Sequence, residues 1–140
     1  MSGLFEDFMG INVTDLRHFT GTTSWHRWSQ LFPQILLTDG AKYVADRGGK
    51  HGAYWLMDAI ASYQSSEEIR KSEDLQKFQL WTLEVAADKT AKLTCRANSD
   101  LPAAIEQLIE YTDFDLSEFS LYCMPTGDGQ TKTILLQSEY

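Results

Sequence analysis

Residues Phe78 to Ala97 switch character at nearly every step, and that alternation sets what the rest of the chain has to supply. Phe78, Leu80, Trp81, Leu83 and Val85 make one strand-like run to Ala86, and Asp88-Lys89 offers a turn. Ala91 to Ala97 runs back with Leu93 and Cys95 facing one way and Lys92, Thr94 and Arg96 the other. Successive side chains of a strand point to opposite faces, so this is a half-buried strand in an antiparallel pair. A sheet with one apolar face must have that face covered.

The cover is legible nearby. Ala53, Leu56, Met57, Ile60 and Ala61 recur at helical spacing, with Trp55 and Tyr63 widening the stripe. Thr14 or Asn12 can cap a short helix that runs to Phe19 and ends at Gly21. Asn98-Ser99-Asp100 can cap another from Leu101, with Pro102 in its first turn and Ile105, Leu108 and Ile109 as its apolar stripe. The polar stretch from Ser65 to Gln76 reads as a short helix or a loop.

Two more hairpins are expected. Ile35-Leu36-Leu37-Thr38 and Ala41-Lys42-Tyr43-Val44-Ala45 flank Asp39-Gly40, a pair suited to a tight type I′ turn. Phe119 to Cys123 and Thr133 to Leu136 flank Thr126-Gly127-Asp128-Gly129. The expected architecture is therefore α+β: an antiparallel sheet of about six strands in three hairpins, with two to three helices on one face. No repeat, low-complexity tract or linker divides residues 1–140, so a single α+β domain is expected.

Charge narrows the partners. The net charge is −8, and residues 98–140 hold eight acids against one base, Lys132. Such a field repels phosphate backbones and attracts basic surfaces, so no direct nucleic-acid binding is expected. Leu4, Phe5, Phe8 and Met9 are interrupted by Glu6 and Asp7, without the basic leader and long apolar run of an export signal. No window approaches the ~18 apolar residues of a membrane span. The expected location is cytoplasmic, with no membrane partner. Cys95 and Cys123 lack metal-ligand spacing and read as buried, reduced thiols.

Several segments resemble a family described only as a domain of unknown function. They are Leu37-Thr38-Asp39-Gly40, Gly52 to Ile60, Phe78-Gln79-Leu80-Trp81, Tyr111-Thr112-Asp113-Phe114 and Gln137-Ser138-Glu139-Tyr140. Its members are small proteins of bacteria, phages and plasmids. The chain departs from the pattern at Asp115, where the family usually has Pro, and looks locally expanded at Ala103 to Leu108 and at Gly127. The resemblance implies one cytoplasmic domain and no catalytic residues.

Candidate chemistry is sparse. His18, His26 and His51 have neither i, i+4 spacing nor an HExxH motif, so no metal site and no cofactor are expected. Gly48-Gly49-Lys50-His51-Gly52 lacks the P-loop pattern, though its backbone N–H groups can hold an anion. Trp25-His26-Arg27-Trp28 interleaves aromatic and basic residues; on a helical turn Trp25 and Trp28 would share a face, as core rings or as an interface. Glu106, Glu110, Asp113, Asp115 and Glu118 make an acidic strip that reads either as a solvated face or as a docking surface.

With no catalytic signature, the expected function is that of a non-catalytic accessory protein of a phage or mobile element. It would bind and inhibit a host protein with a basic surface. The sharpest version is an anti-CRISPR-type inhibitor that covers the nucleic-acid-binding site of a CRISPR effector. A small enzyme or metabolite-binding domain with its mouth at the histidines and Gly48–Gly52 is the second reading. A protein that forms homodimers through a sheet edge at its last strand is the third.

Overall fold

Asn12, not Thr14, starts the first element: its Oδ1 accepts hydrogen bonds from the N–H groups of Thr14 and Asp15 and caps α1 (Val13–Leu16), which ends short of the expected Phe19. The computed structural model describes residues 10–140; Leu4, Phe5, Phe8 and Met9 lie outside the described residues. After α1 come β1 (His26–Ser29), β2 (Phe32–Leu37), α2 (Asp39–Arg47), α3 (Tyr54–Tyr63), α4 (Glu67–Arg70) and α5 (Glu73–Lys77). The second half is all strand: β3 (Gln79–Val85), β4 (Ala91–Arg96), β5 (Ile105–Ile109), β6 (Glu118–Pro125) and β7 (Lys132–Leu136), closed by a 3-10 turn at Gln137–Glu139.

The seven strands form one sheet in the order β1-β2-β7-β6-β3-β4-β5. Every pairing is antiparallel except β2 with β7, which run parallel. The α+β class and the hairpins β3–β4 and β6–β7 agree with the sequence reading; the strand count is seven rather than six, and there are five helices among the described residues.

One face of the sheet makes the core. Leu37, Ile134, Cys123 and Gln79 form one cross-strand row. Leu136, Leu121, Trp81, Cys95 and Ile105 form the next. Ala41, Val44 and Ala45 of α2, Leu56, Met57, Ile60 and Ala61 of α3, Ile69 of α4 and Leu75 of α5 join the same buried cluster. Each large aliphatic side chain buried there contributes about 1.5–3 kcal/mol. Cys95 and Cys123 are free and buried, and burial pushes both thiols up to about 12.

Three local expectations are corrected. Asp39-Gly40 is not a hairpin turn: it opens α2, because Thr38 accepts a hydrogen bond from the Ala41 N–H and Ala41, Val44 and Ala45 recur at helical spacing. The first hairpin instead joins β1 to β2 around Gln30-Leu31. Residues 101–110 do not form a helix. Their inward residues are Ile105, Gln107 and Ile109, a period of two hidden by the polar Gln107, which satisfies itself by accepting from the Tyr63 hydroxyl at 2.8 Å. Trp25 and Trp28 do not share a helical face, because residues 26–29 are strand β1.

The opposite face of the sheet carries Leu80, Thr82 and Glu84 of β3, Lys92, Thr94 and Arg96 of β4, and Glu106 and Leu108 of β5. Phe78, Tyr122 and Tyr140 cluster there, with ring centroids 4.7–6.0 Å apart. Thr94 is 1% exposed and its hydroxyl has no hydrogen-bond partner among the described residues. An unpaired buried hydroxyl costs free energy, and valine has the same shape without it. Thr94→Val is therefore expected to stabilise the fold by about 1 kcal/mol, measured by urea unfolding. A loss of stability would mean that the hydroxyl is satisfied.

Candidate interface at the sheet edge

The glycine-rich loop after α2 is filled from within. Gly49 donates its N–H to Asp115 at 3.0 Å, and Lys50 donates to Asp113 at 2.9 Å. Asp115 also accepts from the Ile11 N–H at 2.9 Å. Gly49 has φ +69°, and a Cβ there would collide with the Asp113 carboxylate. The amides suited to an external anion are thus held by the chain's own carboxylates. The segment Asp113 to Asp115 thus plugs the loop Gly48–Gly52.

A second such pairing ties the C-terminus to α2. Glu139 accepts from the Gly40 N–H at 3.0 Å, the Thr38 hydroxyl at 2.5 Å and the Leu136 N–H at 2.9 Å. A Cβ on Gly40 would press into Leu136 and Glu139. Thr38-Asp39-Gly40 and Gln137-Ser138-Glu139-Tyr140 are therefore two halves of one helix cap.

Asp39, beside that cap, accepts from the Thr23 N–H and hydroxyl and lies 2.8 Å from His26 Nε2. The hydrogen bond with His26, then those from Thr23, hold its carboxyl down to about 2, below the ordinary 3.8. A carboxyl depressed in the folded state stabilises fully above the ordinary value, and that contribution is lost as the pH falls towards 2. The melting temperatures of the protein and of Asp39→Asn are expected to differ at pH 5 and converge between pH 4 and 2. Parallel curves would show that Asp39 contributes nothing through its charge.

The aromatic–basic cluster is dispersed. Trp25 is 54% exposed and Arg27 is exposed. Trp28 is half-buried, stacks on Tyr54 at 5.5 Å and donates its Nε1–H to Asp58 at 2.8 Å. His26 is taken by Asp39. Among the described residues no group of three or more His, Cys, Asp or Glu could hold a metal ion.

The acidic strip divides in two. Asp113 and Asp115 serve the glycine loop. Glu106 and Glu110 lie on and just after β5, an edge of the sheet, and Glu118 opens β6. Strand register brings in a residue that the linear strip omits: Glu84 of β3 stands directly opposite Glu118 on one side and Lys92 on the other. Glu84, Glu110 and Glu118, with Lys92 and Leu108, line a groove of about 620 Å³. Leu108 is 77% exposed. Like charges set directly opposite each other destabilise a sheet, so the Glu118 charge works against the fold, whereas Glu84 is also opposite the favourable charge of Lys92. The only clue to Glu84 in the sequence is its place on the outward side of a strand.

The last strand, expected to form an open edge, lies inside the sheet between β2 and β6; the two edges are β1 and β5. No helix among the described residues is long and apolar enough to cross a membrane.

The chain is similar to a solved protein of unknown function from Enterococcus faecalis, with 13% identity over 84% of this chain and 98% of that one and a TM-score of 0.55. At that identity the likeness speaks for the fold alone. No curated protein matches the chain. A family model described as a family of unknown function, DUF6876, matches residues 11–140, and this covers both interlocked motif pairs as well as β5 and the groove. The chain belongs to the family of unknown function DUF6876.

Proposed function

We propose that this chain is a non-catalytic binding protein that docks an extended, basic segment of a partner protein in the groove crossing from β5 to the start of β6. The observation that carries the reading is the groove: three exposed carboxylates, Glu84, Glu110 and Glu118, one lysine, and the exposed Leu108 beside a strand at the sheet edge. The groove crosses from β5 over β4 and β3 to the start of β6, so its carboxylates select basic side chains on a segment laid across the strands. The groove is also within the usual size range of ligand sites, about 300–1,000 Å³.

Surfaces that bind nucleic acid are basic, so such a surface is the natural partner class. In the sharpest version the chain is an anti-CRISPR-type inhibitor that competes with nucleic acid for that surface. The test is an amide-shift titration with an extended peptide of alternating lysine and leucine. Shifts confined to β5, Glu84, Lys92 and Ser117–Glu118, and abolished by high salt, support the reading. Shifts spread over all acidic surfaces contradict it.

A further inference from the structure

A second cavity, remote in character from the acidic groove, lies between α4–α5 and the β6–β7 turn. It has a volume of about 280 Å³, and its lining includes Gln64, Arg70, Gln76, Thr131 and Lys132 but no Asp or Glu. Lys132 is the one base of residues 98–140, in a chain of net charge −8.

The orientation of this site is set from the core. The Trp81 indole N–H can only donate, and it donates to Gln79 Oε1 at 2.8 Å. The Gln79 amide, 0% exposed, must then present its Nε2 to the Leu75 carbonyl and to Gln64 Oε1. Gln64 Nε2 returns a bond to Gln79 Oε1 at 2.9 Å. Gln64 Oε1 is thereby turned towards Lys132, whose Nζ donates to it at 2.9 Å. A chain of fixed donors and acceptors thus runs from a buried indole to a half-buried ammonium.

That ammonium has no carboxylate partner among the described residues, and neither has Arg70. The acid in the adjacent turn, Asp128, is turned to its own loop: it accepts from the Gln130 and Thr131 N–H groups and from the Thr131 hydroxyl. An ammonium has three donors, and Gln64 uses one of them. A partly desolvated cation with unspent donors beside a carboxylate-free cavity is matched by an anion.

We propose that this cavity binds the oxyanion group of a small ligand, a phosphoryl or a carboxylate, on Lys132 and Arg70, with Gln64 as the positioning residue. The test uses the intact protein, titrated in separate arms with inorganic phosphate and with acetate at constant ionic strength and followed by backbone amide shifts. Saturable shifts at Gln64, Arg70 and Gln130–Lys132 in either arm support the proposal, and the stronger arm identifies the oxyanion. Lys132→Met should weaken binding at least tenfold. Arg70→Ala, at an exposed position that leaves the core intact, should weaken it at least threefold and serves if the first variant does not fold. Shifts of equal size at remote bases such as Lys42 and Lys89, or unchanged binding in Arg70→Ala, would overturn it.

Discussion

Replacing Glu139 with alanine is expected to destabilise the protein by about 2–3 kcal/mol, the largest effect foreseen for any single substitution outside the core. Three donors converge on its carboxylate: the Gly40 N–H, the Leu136 N–H and the Thr38 hydroxyl. Thr38 and Leu136 are buried, so the donors they leave behind are poorly reached by water. A hydrogen bond to a charged group is worth about 1.5–3 kcal/mol, but bonds sharing one acceptor do not add. The carboxylate also faces the N-terminus of α2, where a negative charge is worth about 0.3–1 kcal/mol. Glu139→Gln keeps an acceptor and should cost less than half as much. Urea unfolding reads both; a change below 0.5 kcal/mol for the alanine variant would mean that the cap is not what joins the C-terminus to α2.

Reversing the groove has the opposite profile. The triple change Glu84→Lys, Glu110→Lys and Glu118→Lys should lower affinity for a basic partner at least 100-fold at low salt, because attraction becomes repulsion along the whole groove. The neutral change Glu118→Gln should weaken binding less while raising stability by a few tenths of a kcal/mol, since it removes the like charge opposite Glu84 and leaves Glu84 facing Lys92. A surface kept for binding at a cost to stability predicts that split. If this variant lost stability, Glu118 would belong to the fold rather than to an interface.

Much of this architecture was legible because it is local. The stripe Leu56, Met57, Ile60, Ala61 declares α3, and the alternation through Leu93 and Cys95 declares β4. Two misreadings share a cause, since each rests on a signal that a distant partner overrides. Asp39-Gly40 has the chemistry of a hairpin turn, yet Thr38 caps a helix there and Glu139, far along the chain, completes the cap. The spacing of Ile105, Leu108 and Ile109 resembles a helix stripe, yet β4 offers an edge to pair with and Tyr63 satisfies the inward Gln107. The parallel pairing of β2 with β7 left no local trace, because neither segment announces a partner so distant in sequence.

The site was legible in sign but not in membership. Net acidity in the last third is plain in the sequence, but a linear strip cannot show that Asp113 and Asp115 are taken up by the Lys50 and Gly49 N–H groups. Nor can it show that the β3–β6 register sets Glu84 beside Glu118.

Recognition of a basic protein segment by this groove, as proposed, is open to a direct test. The most direct measurement is affinity capture from a lysate of the source cell with the protein and with the Glu84/Glu110/Glu118 lysine variant in parallel, washed at low and at high salt and read by mass spectrometry. Docking in the groove predicts a basic, nucleic-acid-handling protein that is retained by the protein at low salt, lost at high salt and never retained by the variant. A partner held equally by both, or held through the high-salt wash, would contradict it.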